Sequence, residues 1–231
     1  MYNSQSVGVV IVAAGLSERM QGDDKIFSRL GTTTVLERTV TTFHDCEIVD
    51  KICVVLRKDR LEQGEILLRK KDYSKLAAIC AGGKRRQDSV LAGLNALPHC
   101  QWAIIHDGAR PFITPYLIRD GLEAAQETGA AIAAVPVTDT IKLSTDNCYV
   151  SQTLPRQQLW AVQTPQVFRL DMLKDCYTKT DREVTDDATI VESAGKKIKI
   201  YMGSYDNIKL TTPTDLRMAQ AICQQTEEKC V

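Results

Sequence analysis

The chain has 231 residues, and its 29 Lys and Arg balance 29 Asp and Glu to a formal net charge of zero. That balance argues against a nucleic-acid binder, which carries a net basic face. Apolar residues at 44% and charged residues at 25% are globular values, so a largely disordered chain is excluded, and the length is ample for a sizeable core.

From the N-terminus, the polar stretch Met1–Ser6 leads directly into Val7–Val12. That run is too short to span a bilayer and lacks a basic flank. Short apolar runs, most of them rich in β-branched residues, predict buried strands at Val9–Val12, Ile52–Leu56, Leu76–Ala81, Trp102–His106 and Ala131–Val135. Helix signals fall between them. Thr34 with Glu37 forms a capping box ahead of Leu36, Val40 and Phe43 on one face. Gly82 and Gly83 lead into a helix whose core face is Val90, Leu94 and Leu97. Thr114-Pro115 opens a helix expected to stop at Gly129. Thr185-Asp186-Asp187 opens another, closed by Gly195, and Thr212-Pro213 starts the last.

The alternation predicts an α/β fold with a mostly parallel central sheet, in a single domain of residues 1–231. Residues 138–156 break the rhythm. Ile141-Lys142-Leu143 and Tyr149-Val150 flank the turn-like Ser144–Asn147, which predicts an inserted, protruding β-hairpin arm. The arm is either a surface excursion or a contact to a second subunit.

Eight cysteines stand singly, none at the two-residue spacing of a zinc site or redox motif, and three histidines leave no histidine-rich metal site. The expectation is a cytoplasmic protein, off the membrane, with mostly buried, reduced thiols. At the end of the first strand, Ala13, Ala14 and Gly15 let the backbone approach a ligand closely, and their N–H groups suit phosphate oxygens. Arg19 and Lys25 follow within ten residues of Gly15. The dinucleotide fingerprint does not fit, since its first turn here holds one glycine and the second strand is followed by Arg57-Lys58 rather than an acid. The NTPase phosphate loop occurs nowhere in the chain.

The run Ala13–Met20 with Lys25 resembles the nucleotide loop of sugar-phosphate nucleotidyltransferases. Six further motifs narrow the likeness: Gly82–Val90, His106–Phe112, Val135–Lys142, Leu159–Gln166, Thr185–Ala188 and Asp206–Thr211. In this order they resemble 2-C-methyl-D-erythritol 4-phosphate cytidylyltransferase, over essentially the whole chain. Two departures stand out. Asp24 precedes Lys25 where many members have Pro, and Ser17 stands where many have Gly.

The resemblance implies a Rossmann-like α/β domain with a β-arm for homodimerisation, and a reaction of CTP plus methylerythritol 4-phosphate giving the cytidine diphosphate derivative and pyrophosphate, with Mg²⁺. It implies catalytic roles for Arg19 and Lys25 at the triphosphate, and for Arg156 and Lys209 at the sugar phosphate. Ala13, Ala14, Gly15, Leu16, Ser17, Gly82, Gly83, Arg86, Ser89, Asp107 and Gly108 would hold the nucleotide, with Asp107 as the metal carboxylate. Arg110, Thr140, Thr164 and Thr185 would meet substrate, Arg110 being equally a structural residue. Thr140 and Arg156, at the two ends of the hairpin, are expected to serve the partner subunit of a homodimer formed through the arm. Asp186 and Asp187 read as charges at a helix start rather than as ligands. The rival readings are a ribitol 5-phosphate cytidylyltransferase and, from another class, a nucleotide-binding module without turnover.

Overall fold

The structure, a computed structural model, describes residues 1–15, 24–179 and 183–228. In chain order the elements begin with β1 (Val7–Ala13), a short ribbon of β2 (Arg29–Leu30) and β3 (Thr33–Thr34), α1 (Val35–Asp45) and β4 (Lys51–Leu56). They continue with α2 (Leu61–Arg69), β5 (Leu76–Ala81), α3 (Arg86–Ala96), β6 (Trp102–Asp107), α4 (Pro115–Ala125) and β7 (Ala130–Pro136). The hairpin β8 (Lys142–Ser144) and β9 (Val150–Thr153) follows, then β10 (Trp160–Arg169), α5 (Leu170–Thr178), α6 (Asp187–Ser193), β11 (Lys199–Met202) and α7 (Pro213–Glu228).

Among the described residues, seven strands form one sheet in the order β11-β7-β10-β6-β1-β4-β5. Every pairing in it is parallel except those of β10, which runs antiparallel to both β6 and β7. The chain leaves β1 toward β4 on one side and returns to β6 on the other, so the order reverses at β1. In open α/β sheets ligands bind beyond the carboxyl ends of the strands at that point.

The sheet is covered on both faces. Val9 and Ile11 pack with Phe43 of α1 and Ile118 of α4, whereas Val10 packs with Leu94 of α3 and Leu173 of α5. This division follows from the two-residue period of a strand, which sends neighbouring side chains to opposite faces. Each fully buried Val, Leu, Ile or Phe contributes about 1.5–3 kcal/mol relative to exposure, so covering both faces dominates the fold's stability.

The predicted α/β class, parallel sheet and hairpin match the structure. The capping box at Thr34 is present, with the Glu37 carboxylate accepting the Thr34 N–H at 2.8 Å and the Thr34 hydroxyl accepting the Glu37 N–H at 3.2 Å. Three differences have physical causes. The helix after Thr114 ends at Ala125, not Gly129. Gly129 instead takes φ +82° and donates its N–H to the Ala125 carbonyl at 2.8 Å, closing the turn that follows. Leu76–Ala81 is a strand but only half-buried, because β5 is an edge that pairs with β4 alone among the described residues. The strands β10 and β11 were not anticipated. The central part of β10 carries Gln163, Thr164, Pro165 and Gln166 where an apolar run is the usual signal, and β11 is a short, mostly exposed edge.

The hairpin is a separate two-stranded sheet, and every residue of β8 and β9 is exposed. Thr145 donates its N–H to Tyr149 and accepts that of Cys148 on its carbonyl, which closes the tip.

Candidate active site

The carboxyl ends of β1, β5 and β6 open onto a cavity of about 920 Å³. Ala13, Ala14 and Gly15 form one wall, and Gly82, Gly83, Arg86 and Ser89 another, with Lys25, Asp107 and Lys209 completing it. Leu16, Ser17 and Arg19 lie outside the described residues. Gly82 is required by close packing. A Cβ there would stand 2.5 Å from Ala14 Cβ and 2.6 Å from Ser89 Oγ, distances at which side chains collide. Gly108 donates its N–H to the Val12 carbonyl at 2.8 Å, continuing the pairing of β6 with β1.

Ser89 is buried, and its hydroxyl is already engaged. It accepts the Gly83 N–H at 3.1 Å and donates to the Arg85 carbonyl at 3.2 Å. Its service to a ligand is therefore to shape the glycine loop.

Asp107 stands at the end of β6 within reach of three cations. Lys209 Nζ is 2.8 Å from Oδ2, Arg110 Nε 3.6 Å from Oδ2, and Arg86 Nε 3.9 Å from Oδ1. Burial alone would raise the Asp107 pKa, but Lys209, Arg86 and Arg110 outweigh it and hold the carboxyl well below the usual carboxylate range. Its backbone N–H donates to the Thr164 hydroxyl at 3.0 Å, and that hydroxyl also meets His106 Nδ1 at 3.2 Å. Thr164 is thus committed to holding Asp107 and His106 in place. The Thr164–Pro165 peptide bond is cis.

Arg86 is held from behind. Its guanidinium donates to Asp187 at 2.6 Å, and Asp187, buried, accepts the Tyr177 hydroxyl at 2.5 Å. Burial opposes the Arg86 charge, but Asp187 and Asp107 reverse the effect and raise its pKa. Asp187 is therefore more than a charge at a helix start: it is the buried counterion of Arg86. Asp186 does what the sequence suggested, its carboxylate accepting the Thr189 N–H at 3.0 Å as the helix cap.

A second cavity of about 430 Å³ adjoins the first and shares Arg86, Asp107 and Lys209 with it. Arg110, Thr164 and Thr185 line it, and so do Gln166 and Asp186. Arg110 is mostly buried and donates to the Asn207 carbonyl at 2.6 Å, so it also braces the loop that carries Lys209. Asn207, fully buried, donates in turn to the Thr164 carbonyl at 2.8 Å. Gln166 and Asn207 sit within motifs visible in the sequence, but no local pattern distinguishes a buried amide that holds a loop from an exposed one.

Thr140 and Arg156 line neither cavity. Both are exposed, and Arg156 donates to the Thr138 carbonyl at 2.7 Å across the base of the arm. Within one chain they do not reach Asp107. Arg57, Lys58, Lys84 and Arg85, which sequence reasoning did not place at the site, line the first cavity.

The family model described as 2-C-methyl-D-erythritol 4-phosphate cytidylyltransferase (IspD) matches residues 7–225. A 2-C-methyl-D-erythritol 4-phosphate cytidylyltransferase of Dehalococcoides mccartyi strain 195 is 47% identical over 225 residues, covering 97% of this chain and 99% of the relative. Among solved structures, a 4-diphosphocytidyl-2C-methyl-D-erythritol synthase of Anaerococcus prevotii superposes with a TM-score of 0.84 at 32% identity, covering 95% of this chain and 96% of that one. The corresponding cytidylyltransferase of Thermus thermophilus gives 0.77 at 31% identity, over 95% and 99%. With the geometry of the cleft and these likenesses together, the chain belongs to the 2-C-methyl-D-erythritol 4-phosphate cytidylyltransferase family, a family of nucleotidyltransferase enzymes.

Proposed function

We propose how the cleft performs the reaction of its family, the transfer of a cytidylyl group from CTP to 2-C-methyl-D-erythritol 4-phosphate in isoprenoid precursor biosynthesis. CTP occupies the larger cavity and the polyol phosphate the smaller one. The observation that carries this reading is the group Arg86, Arg110 and Lys209 gathered on Asp107 where the two cavities meet. A phosphate oxygen of the acceptor attacks the α-phosphorus, the α–β bridging P–O bond breaks, and pyrophosphate leaves.

A phosphate monoester has a second pKa near ~6, so the attacking group is already largely dianionic at neutral pH and needs no strong base. The obstacle is repulsion between two anions, and the protein's task is to supply positive charge and in-line placement. Lys25, with Arg19, stabilises the triphosphate and the leaving pyrophosphate. Lys209 and Arg110 orient the acceptor phosphate, and Arg86, fixed by Asp187, faces both ligands. In a homodimer formed through the arm, Arg156 and Thr140 add to the partner's acceptor site. The protein acts in the cytoplasm.

The donor chemistry fits Mg²⁺. Asp107 is one ionised, hard oxygen donor at the junction, and Mg²⁺ is commonly held by one or two carboxylates with phosphate oxygens and water as its other ligands. Among the described residues no group of three or more His, Cys, Asp or Glu forms a metal cage, which agrees with a metal that arrives with the nucleotide. When bound, Mg²⁺ neutralises phosphate charge as a Lewis acid.

Pyrophosphate release from CTP, measured with methylerythritol 4-phosphate and with ribitol 5-phosphate, with and without Mg²⁺, tests the reading. Turnover is expected with the first acceptor and Mg²⁺. Turnover restricted to ribitol 5-phosphate would replace the substrate, and CTP binding without product from either would leave a nucleotide-binding module. Lys25→Ala lowers kcat on the order of 10²–10³-fold, the scale of losing one charge-stabilising donor. Near wild-type turnover in a folded variant would remove Lys25 from this role.

A further inference from the structure

Lys25 reaches the larger cavity from a short segment held by backbone hydrogen bonds. The Asp24 carbonyl accepts the Phe27 N–H at 2.9 Å, and the Lys25 carbonyl accepts the Ser28 N–H at 3.4 Å. Ile26 is buried in the core, and its carbonyl accepts the Leu36 N–H at 2.9 Å. Asp24, next to Lys25, adds a side-chain contact. The Asp24 carboxylate, 12% exposed, stands 3.3 Å from Arg60 Nε.

Arg60 belongs to the connection between β4 and α2, and that connection is a rim of the same cavity through Arg57, Lys58 and Asp59. Its guanidinium is itself aimed, donating to Gln63 Oε1 at 3.2 Å and lying 3.8 Å from the Asp59 carboxylate. Lys25 therefore projects toward a rim that already carries Arg57 and Lys58. Like charges facing one cavity repel, and an opposite charge paired to the rim offsets that repulsion. Asp24 supplies such a charge, one residue away from Lys25.

We infer that the Asp24–Arg60 ion pair is a positioning clamp that holds Lys25 on its course into the nucleotide cavity. The inference rests on the reading above in which Lys25 meets the triphosphate. Neither Asp24 nor Arg60 touches substrate; both act through Lys25. Partly exposed ion pairs contribute little to global stability, so the clamp shows in kinetics rather than in melting.

The test is steady-state pyrophosphate release by the full chain carrying Asp24→Asn, Arg60→Gln, the two together, and the reversed pair Asp24→Arg with Arg60→Asp. Each single variant is expected to lower kcat about 5- to 20-fold, the effect of a small misplacement of a group that stabilises charge. KM for methylerythritol 4-phosphate and the melting temperature stay at wild-type values. The double neutral variant is no worse than either single one, the reversed pair regains most of the lost turnover, and Arg60→Lys retains part of it. In a Lys25→Ala background, Arg60→Gln has no further effect. Wild-type kinetics in both single variants, or losses that multiply in the double variant, would overturn the clamp. If Lys25→Ala alone keeps wild-type turnover, the underlying role of Lys25 fails. If Lys25→Ala loses turnover while Asp24→Asn and Arg60→Gln do not, only the clamp fails.

Discussion

Buried between the Thr164 hydroxyl and the Arg110 carbonyl, the His106 imidazole has one tautomer that satisfies both neighbours. Thr164 Oγ1 accepts the Asp107 N–H, so its own proton is free to donate to Nδ1, and Nε2–H donates to the Arg110 carbonyl at 3.1 Å. Protonating Nδ1 would break this arrangement. Burial pushes the His106 pKa down to about 4 from an ordinary value of 6.5. Between those values the unfolded chain binds a proton that the folded one does not, so stability rises with pH across this window and is lost as pH falls through it. Urea unfolding from pH 6.5 down to pH 4 should show a slope of about 1.4 kcal/mol per pH unit from this residue. His106→Asn should flatten it, and an unchanged slope would show that another group carries the linkage. At this scale the sequence was informative about charge type but not about pairing. Lys25, Arg86, Asp107 and Lys209 stood in readable motifs. The counterion of Arg86 did not, because Asp187 lies 101 residues further along and only the packing of α6 against the sheet brings it there.

Among elements, the glycine loop between β5 and α3 is the one whose shape is set most by contact. Gly82→Ala places a Cβ against Ala14 and Ser89. Overpacking of this kind costs about 1–3 kcal/mol, and here it also parts two walls of the nucleotide cavity. The variant should melt at a lower temperature and show a several-fold higher KM for CTP. A lowered melting temperature with unchanged KM would mean that the loop shapes the fold but not the nucleotide site. The elements legible in advance were those with one simple cause: apolar runs for the buried parallel strands, caps for α1, α4 and α6. The strand β10 escaped because Gln163, Thr164 and Gln166 are buried polar residues, which the fold tolerates by giving them partners from distant segments, Ser204 and Asp186 among them. No window of sequence around β10 contains those partners.

For the molecule as a whole, a net charge of zero conceals an uneven distribution. Among the described residues, Lys25, Arg57, Lys58, Lys84, Arg85, Arg86 and Lys209 share one cavity with only Asp59 and Asp107. Neutrality overall therefore coexists with a focused positive site for a polyphosphate. The arm is the other whole-molecule feature. A lone two-stranded hairpin is marginal in water, yet this one exposes Leu143, Tyr149 and Val150. In the dimer proposed above those side chains would meet the partner, and light scattering at micromolar concentration should then give twice the chain mass. Tyr149→Asp with Val150→Asp should shift the protein to monomer and lower turnover through loss of the partner's Arg156. A fully active monomer would defeat the shared site.

The antiparallel strand of the main sheet carries a further consequence. β10 begins where the arm returns, passes Thr164 beneath Asp107, and ends with Arg169 over the Trp102 ring, 5.7 Å from its centroid. Ten residues thus serve as both mooring for the arm and bed for the carboxylate. An insertion in the loops around the larger cavity would alter one wall of it, whereas an insertion in this strand would displace the arm and the carboxylate together.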